Sequence, residues 1–439
     1  MHLFPSQRSR ASVLIIVMIL CIGLVGLTIL FGNNMLMAYR GADNSLAGQQ
    51  AEQALEGAAR YAEYLMAQVT RPGGMADPDT FQSSALPLGD ATFWFVGEPK
   101  STDPVDQPAF GLVDEASKLN LNTATTDMLM GLPGMTADLA AAILSWRSAS
   151  SGSNTGVVLS ASSGKTSPFE TPDELAIVTG TDASLLYGCD PNLNHAQEAN
   201  ESGSSNSNRS STITSTSRID SGFLEYVTVF SRESNTMTDG TTARVRVTGT
   251  GSAALSTLLT NAFGSSRSAE ILRKARTSGT SGSVLAFYVH SGMTETEFDQ
   301  IASSLTAKSG RFLTGLVNAN TASATVLACI PGIDATNAAA LVAAREQLST
   351  PPASLAWVVP ILGDDNSIKA GPYLTANSYQ WSVDAAATGR NGRGYRRVRF
   401  VLDSSTGTPR IVYRRNLSPL GWALGSTVRD TLLSQKATP

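Results

Sequence analysis

From Ala11 to Phe31 the chain carries no charged side chain. A run of that kind is about as long as a helix must be to cross a bilayer, ~20 residues. The apolar positions then change spacing rather than stop. Ala38, Ala42, Ala47, Ala51, Ala54, Leu55, Ala58, Ala62, Leu65, Met66 and Val69 recur mostly at three- and four-residue steps, the pattern of one apolar stripe on a helix. Arg40, Asp43, Gln49, Glu52, Glu56, Arg60 and Glu63 largely fill the opposite side. The pattern predicts a continuous helix, apolar all round in its first half and amphipathic in its second, whose outer half lies on a globular head. Arg8 and Arg10 precede the run and the next basic residue is Arg40. By the positive-inside tendency the first residues stay cytoplasmic and the remainder is exported. A cleaved secretory signal has a shorter apolar core and a small-residue cleavage site, and Gly32-Asn33-Asn34-Met35 is a poor one.

The middle of the chain repeats itself. Leu119-Asn120-Leu121-Asn122-Thr123-Ala124 matches Val317-Asn318-Ala319-Asn320-Thr321-Ala322. The match continues without a gap through Leu129 and Leu327, Pro133-Gly134 and Pro331-Gly332, Ala140 and Ala338, to Arg147 and Arg345. Asn122 and Asn320 are expected as helix N-caps. The Pro-Gly pairs break the first short helix, and an alanine-rich second helix follows. This predicts two helix-hairpin-helix-like units. Hairpins of this kind hold phosphates with backbone N–H groups at a glycine-rich turn. Here the turns read Gly134-Met135-Thr136 and Gly332-Ile333-Asp334, without a second glycine and, in the latter, with a carboxylate. A structural or protein-contact role is therefore expected over DNA binding.

Thr171-Pro172-Asp173-Glu174 is a capping-box signature that predicts a further helix. The Ser-, Gly- and Asn-rich stretches 148–166 and 199–217 read as linkers. Strands are expected at Ala91–Val96, Phe110–Val113, Phe223–Phe230, Ala243–Thr248, Val284–His290, Gln380–Asp384, Tyr395–Leu402 and Arg410–Tyr413 from their β-branched and aromatic content. Eight arginines fall between Arg390 and Arg415. They suit an acidic partner or lipid headgroups, but are expected to form the solvated face of an edge hairpin.

Composition narrows the function. At 439 residues there is room for two or three cored domains. Net charge is −4, so bulk attraction to nucleic acid is not expected. Cys21 lies in the apolar run, which leaves Cys189 and Cys329 as two distant thiols whose pairing is left open. The histidines are His2, His195 and His290. No metal-ligand spacing, phosphate loop or nucleophile elbow is present, and no enzyme is expected.

The N-terminal segment, the stretch Asp114-Glu115-Ala116-Ser117-Lys118-Leu119-Asn120-Leu121-Asn122-Thr123-Ala124, the unit after it, and Thr171–Gly180 resemble the minor pseudopilins of K type from type II secretion systems. The resemblance implies an α+β fold: a transmembrane spine helix and a pilin-like α/β head with inserted helical domains. The divisions it implies are a leader at 1–11, the membrane part of the spine at 12–31, its exported part at 32–70, first head strands at 71–116, a helical domain at 117–198, a linker at 199–221, further head strands and helices at 222–309, the second unit at 310–376 and C-terminal strands at 377–439. It implies cleavage by a prepilin peptidase between Ala11 and Ser12, alanine standing where glycine is usual. Ile16 falls at the fifth mature position, where ordinary pilins carry glutamate. The spine is expected to pack on neighbouring spines through Ile16, Gly23 and Gly26. The implied setting is the inner membrane, with the head periplasmic at a pseudopilus tip. The implied partners are the major and other minor pseudopilins and the inner-membrane secretion platform, not nucleic acid. No cofactor is expected except calcium, which occurs in the family and whose ligands cannot be mapped here. The alternative is a membrane-anchored DNA receptor of the competence type, which also joins an anchor to such hairpins.

Overall fold

The apolar-then-amphipathic pattern becomes a single helix, α1 (Arg8–Ala67, 60 residues), about 90 Å long. The computed structural model describes residues 8–69, 71–75, 81–100, 103–148, 165, 167–198, 222–248, 252–277, 282–348 and 350–436. Most of the leader and of the two expected linkers therefore lies outside the described residues. From Val13 to Ala42 every side chain of α1 is exposed. Ala38 and Ala42, expected on the stripe, are among them, because the helix has not yet reached the head. Burial begins at Ala47 and recurs at Ala51, Ala54, Leu55, Ala58, Ala62 and Met66.

Strands β1 (Leu86–Leu88), β2 (Ala91–Gly97), β3 (Ala109–Phe110) and β4 (Val113–Asp114) come next. The first hairpin unit is β5 (Leu119–Asn120), α2 (Thr126–Met130) and α3 (Ala137–Arg147), followed by α4 (Ala183–Tyr187), α5 (Phe223–Tyr226), β6 (Val227–Thr228) and β7 (Arg232–Ser234). A smaller layer comprises β8 (Val245–Arg246), α6 (Ala253–Thr277, broken at Gly264), α7 (Val284–Ser291), α8 (Glu295–Ile301) and β9 (Leu305–Thr306). β10 (Phe312–Thr314) leads into the second unit, β11 (Val317–Asn318), α9 (Ala324–Ala328) and α10 (Ala335–Glu346). Then come α11 (Val359–Leu362), α12 (Asp364–Ala370) and β12 (Leu374–Thr375). The chain returns through β13 (Gln380–Gly389), β14 (Arg393–Asp403) and β15 (Arg410–Asn416) to α13 (Gly425–Lys436).

The head is an antiparallel sheet in the order β1-β2-β13-β14-β15, with β3 on β2 and β4 on β13. Alternation sorts its faces. Phe93, Phe95, Val383, Ala385, Ala387, Phe400 and Leu402 pack against the alanine stripe of α1. Small residues let the helix lie close: a Cβ on Gly389 or Gly394 would strike the backbone of Ala47. Trp94, Val96 and Ala386 face the other way, against Ala423 and Leu424. This is an α+β architecture with an N-terminal spine on a sheet-containing head, as the sequence implies.

The two hairpin units share one core, in which Leu129, Ile143, Leu327 and Leu341 meet. The layer of α6 to α8 has its own. Four expected strands differ. Phe110–Val113 splits between β3 and β4, Phe223–Phe230 begins as α5, Ala243–Thr248 shortens to β8, and Val284–His290 is α7. In α7 the Ser283 hydroxyl caps the Ala286 N–H at 3.0 Å and Gly292 ends the helix at φ +59°. Leu285, Ala286 and Phe287 are buried between them, so capping overrides the β-branched and aromatic composition.

Candidate functional site: the spine and the paired hairpins

Ala11 and Ser12 lie within α1, their side chains outside the described residues. Ile16 is 57% exposed, and a Cβ on Gly23 or Gly26 would meet nothing within 4 Å. The three expected spine-packing residues thus stand clear of the head, on a segment long and apolar enough to cross a membrane.

The hairpins are built alike, but not with the expected caps. Thr125 and Ser323 cap α2 and α9, accepting from Met128 and Val326 N–H groups. Asn122 and Asn320 instead fasten the following loops. Asn122 Nδ2 donates to the Phe169 carbonyl and its Oδ1 accepts from Phe169 N–H, while Asn320 Nδ2 donates to the Pro352 carbonyl at 2.9 Å. One step earlier, Asn120 and Asn318 are buried and close tight turns onto Asn122 and Asn320 N–H. Arg147 reaches back to the carbonyls of Leu121 and Ala124, and Arg345 to those of Ala319 and Ala322. The two arginines that close the repeat are therefore spent inside their own units.

The turns are closed as well. Thr136 accepts from Leu139 N–H at 3.2 Å and Asp334 from Asn337 N–H at 2.8 Å, so both second helices are capped by the chain. Pro133 and Gly134 are exposed, with Gly134 at φ +73°. Pro331 and Gly332 are half-buried, and a Cβ on Gly332 would lie 2.8 Å from the Asn366 carbonyl and 2.9 Å from Lys369 of α12. The units meet where a Cβ on Gly131 would lie 3.0 Å from Cys329. Cys329 is buried, its thiol pushed up to about 11 by burial, and it is not bonded to Cys189.

A buried polar seam joins hairpins to sheet, and sequence reasoning missed it. Asp114 Oδ2 accepts from Asn318 Nδ2 at 2.8 Å and from the Thr321 hydroxyl at 2.7 Å; Oδ1 accepts from Ala116 N–H and the Ser378 hydroxyl. Burial pushes this carboxyl up to about 6, against the pull of those donors. Glu115 beside it accepts from the hydroxyls of Thr228 and Ser382.

Only part of the arginine-rich segment is the solvated face expected of it: Arg390, Arg396, Arg410 and Arg414 are exposed, whereas Arg397 and Arg399 turn inward. Arg397 is fully buried and forks onto Asp384 at 2.7 and 2.8 Å, and Arg399 joins at 2.8 Å. Burial works to raise the Asp384 carboxyl, but Arg397 and Arg399 outweigh it and hold it below the usual range. Arg397 also donates to the carbonyls of Asn192 and Leu193. These belong to a loop that leaves α4 at Gly188, while the chain re-enters at Gly222 close against Gly188. His195, which the sequence sets beside a linker, lies in this loop with its side chain 10% exposed, and its imidazole drops to about 3 through burial, with Lys118, Arg399 and Arg397 adding.

Among the described residues no group of three or more His, Cys, Asp or Glu side chains is placed to hold a metal ion. The loop 190–198 is closed on itself. Asp190 accepts from Asn194 and His195 N–H, Asn192 from Asn194 N–H and Asn194 from Ala196 N–H.

No family model and no curated protein matches the chain. Among solved structures, it is similar to a chain in the GspK-GspI-GspJ complex from the enterotoxigenic Escherichia coli Type 2 Secretion System. Identity is 10% and the TM-score 0.40, with 84% of this chain and 96% of that one covered. At that level the likeness fixes neither family nor function.

Proposed function

We propose that the chain is a minor pseudopilin of K type, anchored in the inner membrane with its head in the periplasm, acting at the tip of a type II secretion pseudopilus. The observation that carries this reading is the division of α1: one half embedded in an antiparallel sheet by alanines, the other bare and apolar. A helix that only anchors has no need to continue as the spine of a head. The bare half offers Ile16, Gly23 and Gly26 to neighbouring spines, since close helix packing in lipid favours small residues. Its role is to start assembly with other minor pseudopilins and so to help export folded proteins; it is structural rather than catalytic. The competence-type alternative is weakened by the internal use of Arg147 and Arg345 and by the capped turns.

The test is deletion of the gene in its own cell, with complementation. Folded proteins destined for export accumulate in the periplasm, and the full-length chain pulls down other minor pseudopilins. N-terminal sequencing of that chain reads Ser12 first. Normal export after deletion, or a mature chain that still begins at Met1, would sink the reading.

A further inference from the structure

Beside the second hairpin unit the head holds a cleft. The layer of α7, α8 and β9 forms one side of it, and β10, residues 353–355 and β12 form the other. Leu285, Phe298, Leu305, Leu313, Leu355 and Leu374 make up most of its apolar lining, and all six are buried. The volume is about 100 Å³. A dry cavity of ~150 Å³ takes benzene, so this one has room for an aliphatic body about the size of a leucine side chain.

The buried polar side chains in the lining are already spent. Ser283 accepts from Ala286 N–H at the start of α7. The Thr306 hydroxyl donates to the Lys308 carbonyl, and that of Ser354 to Asp299. Glu233 is held by Arg244 at 2.6 Å, by the Thr375 hydroxyl at 2.7 Å and by Asn377 Nδ2 at 2.9 Å. Glu233 and Arg244 therefore cancel. One step further out, the charge of Asp299 is matched by that of Arg71, which donates to Asn377 Oδ1 at 3.2 Å. Lys308 is the remaining charged residue in the lining, and it is exposed. Among the described residues its ammonium has neither a hydrogen bond nor an ion pair. Desolvation lowers its pKa from the ordinary lysine value, and no carboxylate opposes the shift.

Lys308, Leu313 and Pro372 also line a second hollow of about 330 Å³, whose other lining residues are uncharged. The unmatched cation thus stands where an apolar cleft meets a wider space. Such a site selects an apolar body with one anionic end. One ammonium matches the single charge of a carboxylate, whereas a phosphate monoester, with nearly two charges, would keep one unpaired. We infer that the cleft binds a small aliphatic carboxylate, its carbon body among Leu285, Phe298 and Leu305 and its carboxylate on Lys308. A free acid and the C-terminus of a chain ending in an aliphatic residue share this chemistry, because the hollow beyond Lys308 leaves a chain its way out. Neither source depends on how α1 meets a membrane.

The full-length chain in phosphatidylcholine nanodiscs is titrated with 4-methylpentanoate and with its neutral amide, empty discs serving as the blank. Binding is read from saturation transfer to the ligand. The acid binds with a dissociation constant of about 1 mM, the range open to so small a ligand, and the amide roughly tenfold more weakly. Acetate, which has the charge without the body, does not bind. Lys308→Gln removes the preference for acid over amide and leaves the melting temperature unchanged, since the ammonium has no partner to lose. Ala307→Leu fills the cleft and abolishes binding of both. The peptide Gly-Gly-Leu and its C-terminal amide separate the sources: a peptide that outbinds both its amide and the free acid assigns the carboxylate to a chain end, and binding of the free acid alone assigns it to a small molecule. Equal binding of acid and amide to the parent chain overturns the inference. So does a preference for the acid that survives Lys308→Gln, or the absence of binding by acid and peptide alike.

Discussion

Arg397 shows how a side chain can look solvated in sequence and be the most deeply held charge in the fold. The alternation of Val398, Phe400 and Leu402 places Arg397 and Arg399 together on the face away from the spine, and that much is legible. What covers the face is not: it is the loop at Asn192 and Leu193, which follows α4 at Gly188. Removing one member of a buried ion pair strands the other, at about 3–5 kcal/mol. Arg397→Ala should therefore lower the melting temperature of the detergent-solubilised full chain sharply, and Arg390→Ala hardly at all. Equal melting of the two variants would show that the pair is not buried. Asp114 gives the opposite signature with pH. Its folded pKa, about 6, stands above the ordinary value of 3.8, so the folded state holds the proton more tightly. That contribution is full below the ordinary value and is lost as pH rises to about 6. Asp190 and Glu198, also raised by burial, act in the same sense. Asp384, held low, loses its contribution only on acidification below the ordinary range. Asp114→Asn should flatten the melting temperature between about pH 4 and 6 relative to the parent chain; parallel curves would refute the assignment.

At the scale of elements, the repeat from Leu119 to Arg147 and from Val317 to Arg345 was readable because a gapless match forces two copies of one unit. The caps sit three residues later than the asparagines expected for them: Asn122 and Asn320 are drawn off to the distant loops at Phe169 and Pro352, which sequence does not reveal, and Thr125 and Ser323 are equally good caps. Val284–His290 was misread because its β-branched and aromatic residues outvote the Ser283 and Gly292 signals that flank it. The arginine clamps lead to a paired prediction. Arg147→Ala and Arg345→Ala each remove a side chain that satisfies two backbone carbonyls, and each should cost roughly 1–3 kcal/mol. Duplex DNA binding by the full chain should be absent at physiological salt with or without them. A salt-sensitive gel shift lost in these variants, with melting unchanged, would restore the competence-type alternative.

At the scale of the whole molecule, the spine was the most legible feature, since a change from all-round to one-sided apolarity can be read without any tertiary contact. The seam that fastens hairpins to sheet was hidden, because Asp114, Asn318 and Ser378 are brought together only by the fold. The spine also bears the assembly prediction most directly. Ile16 lies within its bare half, inside the apolar stretch long enough to cross a bilayer. A carboxylate there is costly unless paired, by up to ~2.5–3.5 kcal/mol, the insertion cost at a helix centre. On the proposed tip position no subunit lies above, so no neighbouring amino terminus supplies the pair. Ile16→Glu should therefore weaken membrane retention or recovery of partner pseudopilins, where in an ordinary filament subunit the same glutamate would find its partner. Gly23→Leu and Gly26→Leu should reduce recovery for a different reason. Nothing in the chain lies near those glycines, so a bulky side chain there leaves the isolated protein's melting unchanged and acts only on helices packed from outside. Pull-down of partner pseudopilins, set beside the melting temperature of each variant, separates these effects. Recovery unaltered by all three substitutions would mean that the inner half of the spine is a plain anchor.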